Sequence, residues 1–171
     1  METKKEGAFL AALETDELRG KIINQSLYIE SFADRALAWF FVNDKKRRQY
    51  FDIAILNGEF GLSGKINCLI FLIKTITPNI YSKYPELSQD AKSFIGTRNQ
   101  AAHRVNVLKG SWLDDDYGQQ IHFSNVGINQ RHNSKESYVA IDDDYLQKFM
   151  KSAKNVREAI DEFHLYNLKN G

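Results

Sequence analysis

A chain of 171 residues with 43% hydrophobic and 12% aromatic side chains is long and apolar enough to build one globular domain with a real core. Its 23 basic and 22 acidic residues leave a formal net charge of +1, which excludes a broadly basic nucleic-acid coat and confines any contact with RNA or DNA to a local patch. The single cysteine excludes an intramolecular disulfide framework, the N-terminus turns acidic too early for a signal peptide, and no apolar run is long enough to span a bilayer, so a cytoplasmic protein with no membrane contact is expected.

Residues 1–14 are expected to be flexible. Thr15, followed by Asp16 and Glu17, reads as the N-cap of a long helix. Apolar residues recur at intervals of mostly three and four from Leu18 and Ile22 to Phe40 and Phe41, and the helix is predicted to stop near Val42-Asn43. Lys45 to Leu56 predicts a second helix, closed by Asn57-Gly58. Ser63 is predicted to cap a very apolar helix from Gly64 to Thr75, with Cys68 as a small core residue, and Pro78 stops it. Pro85 suits the first turn of the next helix, which runs through Leu87, Phe94 and Ile95 to about Leu108, with Gly110 beyond. The period then changes: Gln120 to Val126 and Ser137 to Ile141 read as strands, so a small β-hairpin is predicted over 119–141. Asp142 to Asp144 cap a last helix whose apolar stripe is Tyr145, Leu146, Phe149, Ala153, Val156, Ile160 and Phe163. With no repeat or linker, the predicted fold is mainly α: a single-domain bundle of about five helices with a hairpin inserted before the last.

The segment Arg98-Asn99-Gln100-Ala101-Ala102-His103 carries the sharpest chemistry. Arginine is a permanent cation that matches phosphate, and histidine exchanges protons near neutral pH. Cleaving a phosphodiester without a metal requires little beyond those two groups, correctly placed. On a helix, positions 98 and 103 are offset by about 140° and roughly 7.5 Å along the axis, so they flank a strip of surface. Ala101 and Ala102 on the intervening turn, and Gly96 before it, suggest close approach of a substrate or a second backbone. Asn99 shares a face with His103 and is placed to orient the imidazole or a phosphate. With eight arginines and four histidines, the spacing alone is unselective. Arg157 and His164 repeat a similar spacing in the last helix, without an adjacent Asn, and are expected on its solvated side.

RNQAAH, late in a helix of a small α-helical domain, resembles the signature of the HEPN superfamily. GLSGKINCLIFLIK, followed by a helix ending in TRNQAAHRV, is similar to the mannitol operon repressor family, and the likeness extends from about Leu18 to Val107. The first resemblance implies a metal-independent endoribonuclease, acting as a toxin or defence effector, with a composite active site at a homodimer interface. It implies that Arg98 holds the scissile phosphate, that His103 serves as general base or acid while the RNA 2′-hydroxyl attacks, and that Asn99 supports them. No cofactor is implied, and the expected partners are a second copy, RNA, and an antitoxin or regulatory protein. The second resemblance implies a non-enzymatic regulator or dimeric interaction module, and inactive binding modules occur among HEPN relatives too.

Other readings of the same residues stand beside these. Arg98 equally suits neutralisation of Glu30 or Asp34 on the first helix, and His103 suits a capping or half-buried histidine. Lys45, Lys46, Arg47 and Arg48, together with Arg104, are candidate nucleic-acid contacts, but the run also suits a solvated helix start tempered by Asp44 and Asp52. Trp39, Phe40, Phe41, Tyr50 and Phe51 are expected in the core, unless one is exposed beside Arg47. Asp114 to Asp116 and Asp142 to Asp144 suit turns and caps, and His122 and His132 lack a zinc spacing, so no metal is expected. No helix-turn-helix is recognisable.

Overall fold

Strong helix formers dominate from Glu2 onward, and the computed structural model carries the first helix, α1, over Glu2–Phe41. The structure describes residues 2–58, 60–103, 105–106, 121–124, 139–141 and 143–170, with side chains over 16–58, 60–102 and 144–170. The chain is mainly α-helical, as predicted. The flexible segment expected at 1–14 is instead helical from Glu2, and Thr15 lies inside α1 rather than capping it. The lone Gly7 costs a helix about 1 kcal/mol, too little to break a stretch rich in Lys, Glu, Ala and Leu.

Helix α2, Lys45–Phe51, passes directly into a single π-helical turn, Asp52–Leu56. Helix α3 spans Leu62–Ile76, two residues earlier than predicted, with Gly61 in extended conformation as its N-cap. Ser63 therefore sits in the first turn and caps nothing; its Oγ accepts from Asn67 Nδ2 at 3.4 Å. Thr77 leaves the helical region (φ −127°, ψ 61°), as the residue before a proline must, and Pro78 opens a short unforeseen helix, α4, Pro78–Lys83. Helix α5 runs Leu87–His103, followed by the strands β1 (Val105–Asn106), β2 (Ile121–Ser124) and β3 (Val139–Ile141), and the last helix, α6, is Asp143–Asn170. The backbone of β2 pairs antiparallel with β1 (Val105↔Ser124) and with β3 (Ile121↔Ile141). β2 and β3 fall within the two segments read as strands; the loop between them, with His132, and the aspartates 114–116 and 142 lie outside the described residues.

The chain divides into two compact units, one of Met1–Asn24 with Thr97–Phe149 and one of Gln25–Gly96 with Met150–Gly171. Residues of α1, α5 and α6 fall in each of them. In the first unit Ile22, Ala101 and Phe149 are buried. In the second, Ile29, Ala33, Ala36 and Leu37 of α1, Ile66, Leu69 and Ile73 of α3, Phe94 of α5, and Ala153, Val156, Ile160 and Phe163 of α6 form the core. Burying each large side chain contributes about 1.5–3 kcal/mol. Phe40 meets Phe163 at 5.6 Å between ring centroids, and the Asp90 carboxylate of α5 accepts from Ser152 Oγ (3.0 Å) and Asn155 Nδ2 (2.8 Å) of α6.

Candidate functional site

Helix α5 stops at His103 rather than near Leu108, because the chain changes period at once: β-branched Val105 enters a strand paired with β2. The RNQAAH segment therefore forms the last turns of α5, in the first unit, and His103 is its final residue. The last carbonyls of a helix have no intrahelical donor. Arg19 of α1 supplies one, Nη2 donating to the Ala102 carbonyl at 3.3 Å, and its cation sits at the negative end of the helix dipole. Tyr145 of α6 donates its hydroxyl to Gln100 Oε1 at 2.6 Å. These two contacts fix the end of α5 from both sides of the sequence, and neither was foreseen: an arginine beside Leu18 and a tyrosine in an apolar stripe carry no signal of their own.

Arg98 is half-buried and donates from Nη1 to Asn99 Oδ1 at 3.2 Å, while Asn99 itself is exposed. Ala101 is fully buried and belongs to the core, so of the two alanines only half-exposed Ala102 offers room on the strip beside Arg98. A Cβ at Gly96 would meet nothing within 4 Å, so no close approach explains that glycine. Glu30 and Asp34, the carboxylates expected to neutralise Arg98, are taken by a lysine. Among the described residues no carboxylate lies within ion-pair distance of Arg98. The Arg104 side chain lies outside the described residues.

That lysine is Lys65 of α3, in the second unit. It is only 1% exposed, and its Nζ lies 2.8 Å from Glu30 Oε1 and 2.9 Å from Asp34 Oδ1. It donates to Asp34 Oδ2 at 3.1 Å, leaving Oδ1 buried with no hydrogen-bonding partner among the described residues. Burial opposes the charge on Lys65, but the hydrogen bonds to Glu30 and Asp34 outweigh it and hold its pKa above the ordinary lysine value. Burial pushes the Asp34 carboxyl up, against the pull of Lys65 and helped by the charges of Glu30 and Asp52. A single lysine in an apolar run, four residues before another core position, was visible in the sequence; what it pairs with was not.

Asp34 also lines an open cleft of about 560 Å³, with Ser31, Arg35, Ala38 and Trp39 of α1 and Arg48, Gln49, Asp52 and Asn57 of the α2 region. Arg48, one of the candidate nucleic-acid contacts, is largely engaged within the fold. Its guanidinium lies 3.4 Å from the Trp39 ring centroid, Nε donates to the Val42 carbonyl (2.6 Å) and Nη2 to the Asn43 carbonyl (2.7 Å). Those carbonyls follow the end of α1, so Arg48 ties α2 to it. Asp44 caps α2, accepting from Arg47 N at 2.8 Å. Lys45, Lys46 and Arg47 remain exposed.

The second Arg-His pair is not on a solvated face. Arg157 and His164 are half-buried, and Arg157 Nε and His164 Nδ1 are buried without hydrogen-bonding partners among the described residues. His164 stands edge-on to Trp39 at 6.0 Å, and burial, reinforced by the charge of Arg35, pushes its pKa below the ordinary histidine value against the pull of Asp161. Among the described residues no group of His, Cys, Asp and Glu is arranged to hold a metal ion, and no helix is long and apolar enough to cross a membrane. No protein-family model, curated protein or solved structure matches the chain.

Proposed function

We propose that the protein is a HEPN-like, metal-independent endoribonuclease acting at the last turns of α5. The observation that carries this reading is Arg98: a half-exposed guanidinium steadied by its neighbour Asn99 and opposed by no carboxylate among the described residues. A guanidinium in that state keeps donors for the non-bridging oxygens of a phosphodiester. In the proposed reaction His103 takes the proton of the RNA 2′-hydroxyl, the 2′-oxygen attacks phosphorus, and the 5′-oxygen leaves with a proton from the second His103 of a homodimer. The products are a 2′,3′-cyclic phosphate and a 5′-hydroxyl. Such an activity suits a cytoplasmic toxin or defence effector restrained by an antitoxin or regulatory partner.

Labelled RNA incubated with the purified protein in EDTA, with product ends identified, tests it. Cleavage to cyclic phosphate ends is expected, falling about 10²–10⁴-fold in His103→Ala and sharply in Arg98→Ala. No cleavage by the wild type, or equal cleavage by His103→Ala, overturns it. The exposure of Leu27 (54%), Tyr28 (48%) and Phe71 (65%) favours a second reading, a non-enzymatic regulator or dimeric interaction module. A stable dimer in sedimentation that cleaves no RNA would select it.

A further inference from the structure

Helix α2 buries none of its seven side chains, so core formation does not explain its sequence. What holds it in place is the Asp44 cap and the anchoring of Arg48 on Trp39 and the carbonyls of Val42 and Asn43. The rest of the helix presents Lys45, Lys46, Arg47 and Tyr50, all exposed. Surface lysines elsewhere are often neutralised, as Lys21 is by Glu17, Lys83 by Glu162 and Lys148 by Asp144. The cations at 45, 46 and 47 have no ion-pair partner among the described residues, and the nearest carboxylate in sequence, Asp44, is engaged by the helix backbone.

Tyr50 is the decisive residue. It is 73% exposed, while the aromatic side chains around it pair with one another: Phe41 with Phe40 at 5.0 Å and with Phe51 at 6.1 Å. Tyr50 follows Lys46 by four positions and Arg47 by three, so all three share one face of α2 at roughly 5–6 Å between neighbouring Cβ atoms. An open phenol ring between unpaired cations is the arrangement that takes a stacked base with phosphates on either side, and stacking demands a base free of a duplex. We propose that this face of α2 is a docking surface for single-stranded polynucleotide, with Lys46 and Arg47 taking phosphates beside Tyr50, Lys45 at the flank of the face taking a third, and Tyr50 taking a base. It goes beyond the cleavage reading and does not depend on it: binding here requires no chemistry at α5.

The test measures binding of fluorescent single-stranded RNA, single-stranded DNA and duplex oligonucleotides of one length to the full chain carrying His103→Ala, so that cleavage cannot distort the result. Three phosphate contacts predict about a twentyfold loss of single-strand affinity between 50 and 200 mM salt. Lys46→Glu/Arg47→Glu should flatten that dependence, and Tyr50→Ala should weaken binding about tenfold while leaving the salt slope unchanged. Tyr50→Phe should retain binding, and a far-UV spectrum equal to wild type keeps Tyr50→Ala interpretable. The two single strands bound against the duplex support the surface, and RNA over DNA ties it to the proposed substrate. No binding, equal affinity for duplex, indifference to Tyr50→Ala, or capture by vesicles of anionic lipid in place of oligonucleotides overturns it. Binding without cleavage by the wild type sinks the nuclease and leaves this surface standing; cleavage that survives Tyr50→Ala with binding unchanged does the reverse.

Discussion

Replacing Lys65 by Met removes the cation from a site where two carboxylates have given up most of their water. Lys65 is 1% exposed, and the side chains of Glu30 and Asp34 retain 21% and 14% exposure. Their negative charges would then face each other without Lys65 as counter-ion and with Asp34 Oδ1 already lacking a hydrogen bond among the described residues. Breaking a buried ion pair by removing one partner costs about 3–5 kcal/mol. With a urea slope near 2 kcal/mol/M, the unfolding midpoint should fall by roughly 2 M. The triple variant Lys65→Met/Glu30→Gln/Asp34→Asn should recover at least half of that, since the cost lies in the stranded charges. The pH dependence gives an independent check. Without Lys65 the folded-state carboxyls titrate above their unfolded values, so the folded chain binds more protons and the variant gains stability as pH falls from 7 to 5. Urea titrations followed by far-UV circular dichroism at both pH values measure this. A midpoint shift below 0.5 M urea (about 1 kcal/mol), or a deficit that does not shrink at pH 5, would refute the argument that Lys65 holds the two carboxylates in the core. In the wild type the raised Lys65 pKa contributes stability that is complete below 10.5 and lost as pH rises through the higher folded value.

Arg48→Ala should cost about 2 kcal/mol in thermal unfolding, from the lost Trp39 stacking and two carbonyl hydrogen bonds, and Arg48→Lys should not restore it because an ammonium cannot fork. Gly20→Ala, in the interior of α1 where a Cβ meets nothing within 4 Å, should raise stability by about 0.5–1 kcal/mol in the same assay. Tyr84, held by burial and by donating to Glu162 Oε1 at 3.0 Å, has its pKa pushed up to about 12. Ultraviolet titration should show one of the eight tyrosines ionising late, and Glu162→Gln should bring it back toward 10. Its contribution to stability is present below pH 10 and lost between 10 and about 12.

The helices were legible because their signals are local. The stripe Phe149, Ala153, Val156, Ile160, Phe163 is buried as its spacing requires, and Asp44, read only as a tempering charge, is a cap. The errors cluster at ends. Ser63 caps nothing because Gly61 already lies in extended conformation two residues earlier, and α5 stops at His103 because strand pairing claims Val105, a long-range effect that no window of sequence contains. Side-chain partners were less legible still. Glu30 and Asp34 were read as partners for Arg98, and Lys65 was not considered; burial of α3's apolar face brings Lys65 to them. Trp39, Phe41 and Tyr50 were all assigned to the core by their company, yet all three are exposed; Phe41 still packs on Phe40 and Phe51, whereas Tyr50, at 73%, is the most open.

Which arginine can do chemistry is decided by how many of its five donors the fold has already used. Arg48 has given its Nε and an Nη to carbonyls and its face to Trp39, and Arg19 spends an Nη on the Ala102 carbonyl. Arg157 lies 3.8 Å from Asp161 with its Nε buried and unbonded among the described residues, so its charge is compensated although its side chain is half-exposed. Arg98 and Arg47 differ from these. The first is engaged by a neutral neighbouring amide, and the second makes no side-chain hydrogen bond or ion pair among the described residues and stands exposed. A phosphate entering water-exposed donors displaces solvent alone, whereas at Arg48 or Arg19 it would have to strip a carbonyl of its partner at a cost of about 1–3 kcal/mol. Of the six described arginines, Arg98, Arg47 and Arg35 keep donors open to a phosphate, Arg35 with its guanidinium 5.5 Å over the Phe32 ring, and the two proposed RNA contacts rest on the first two.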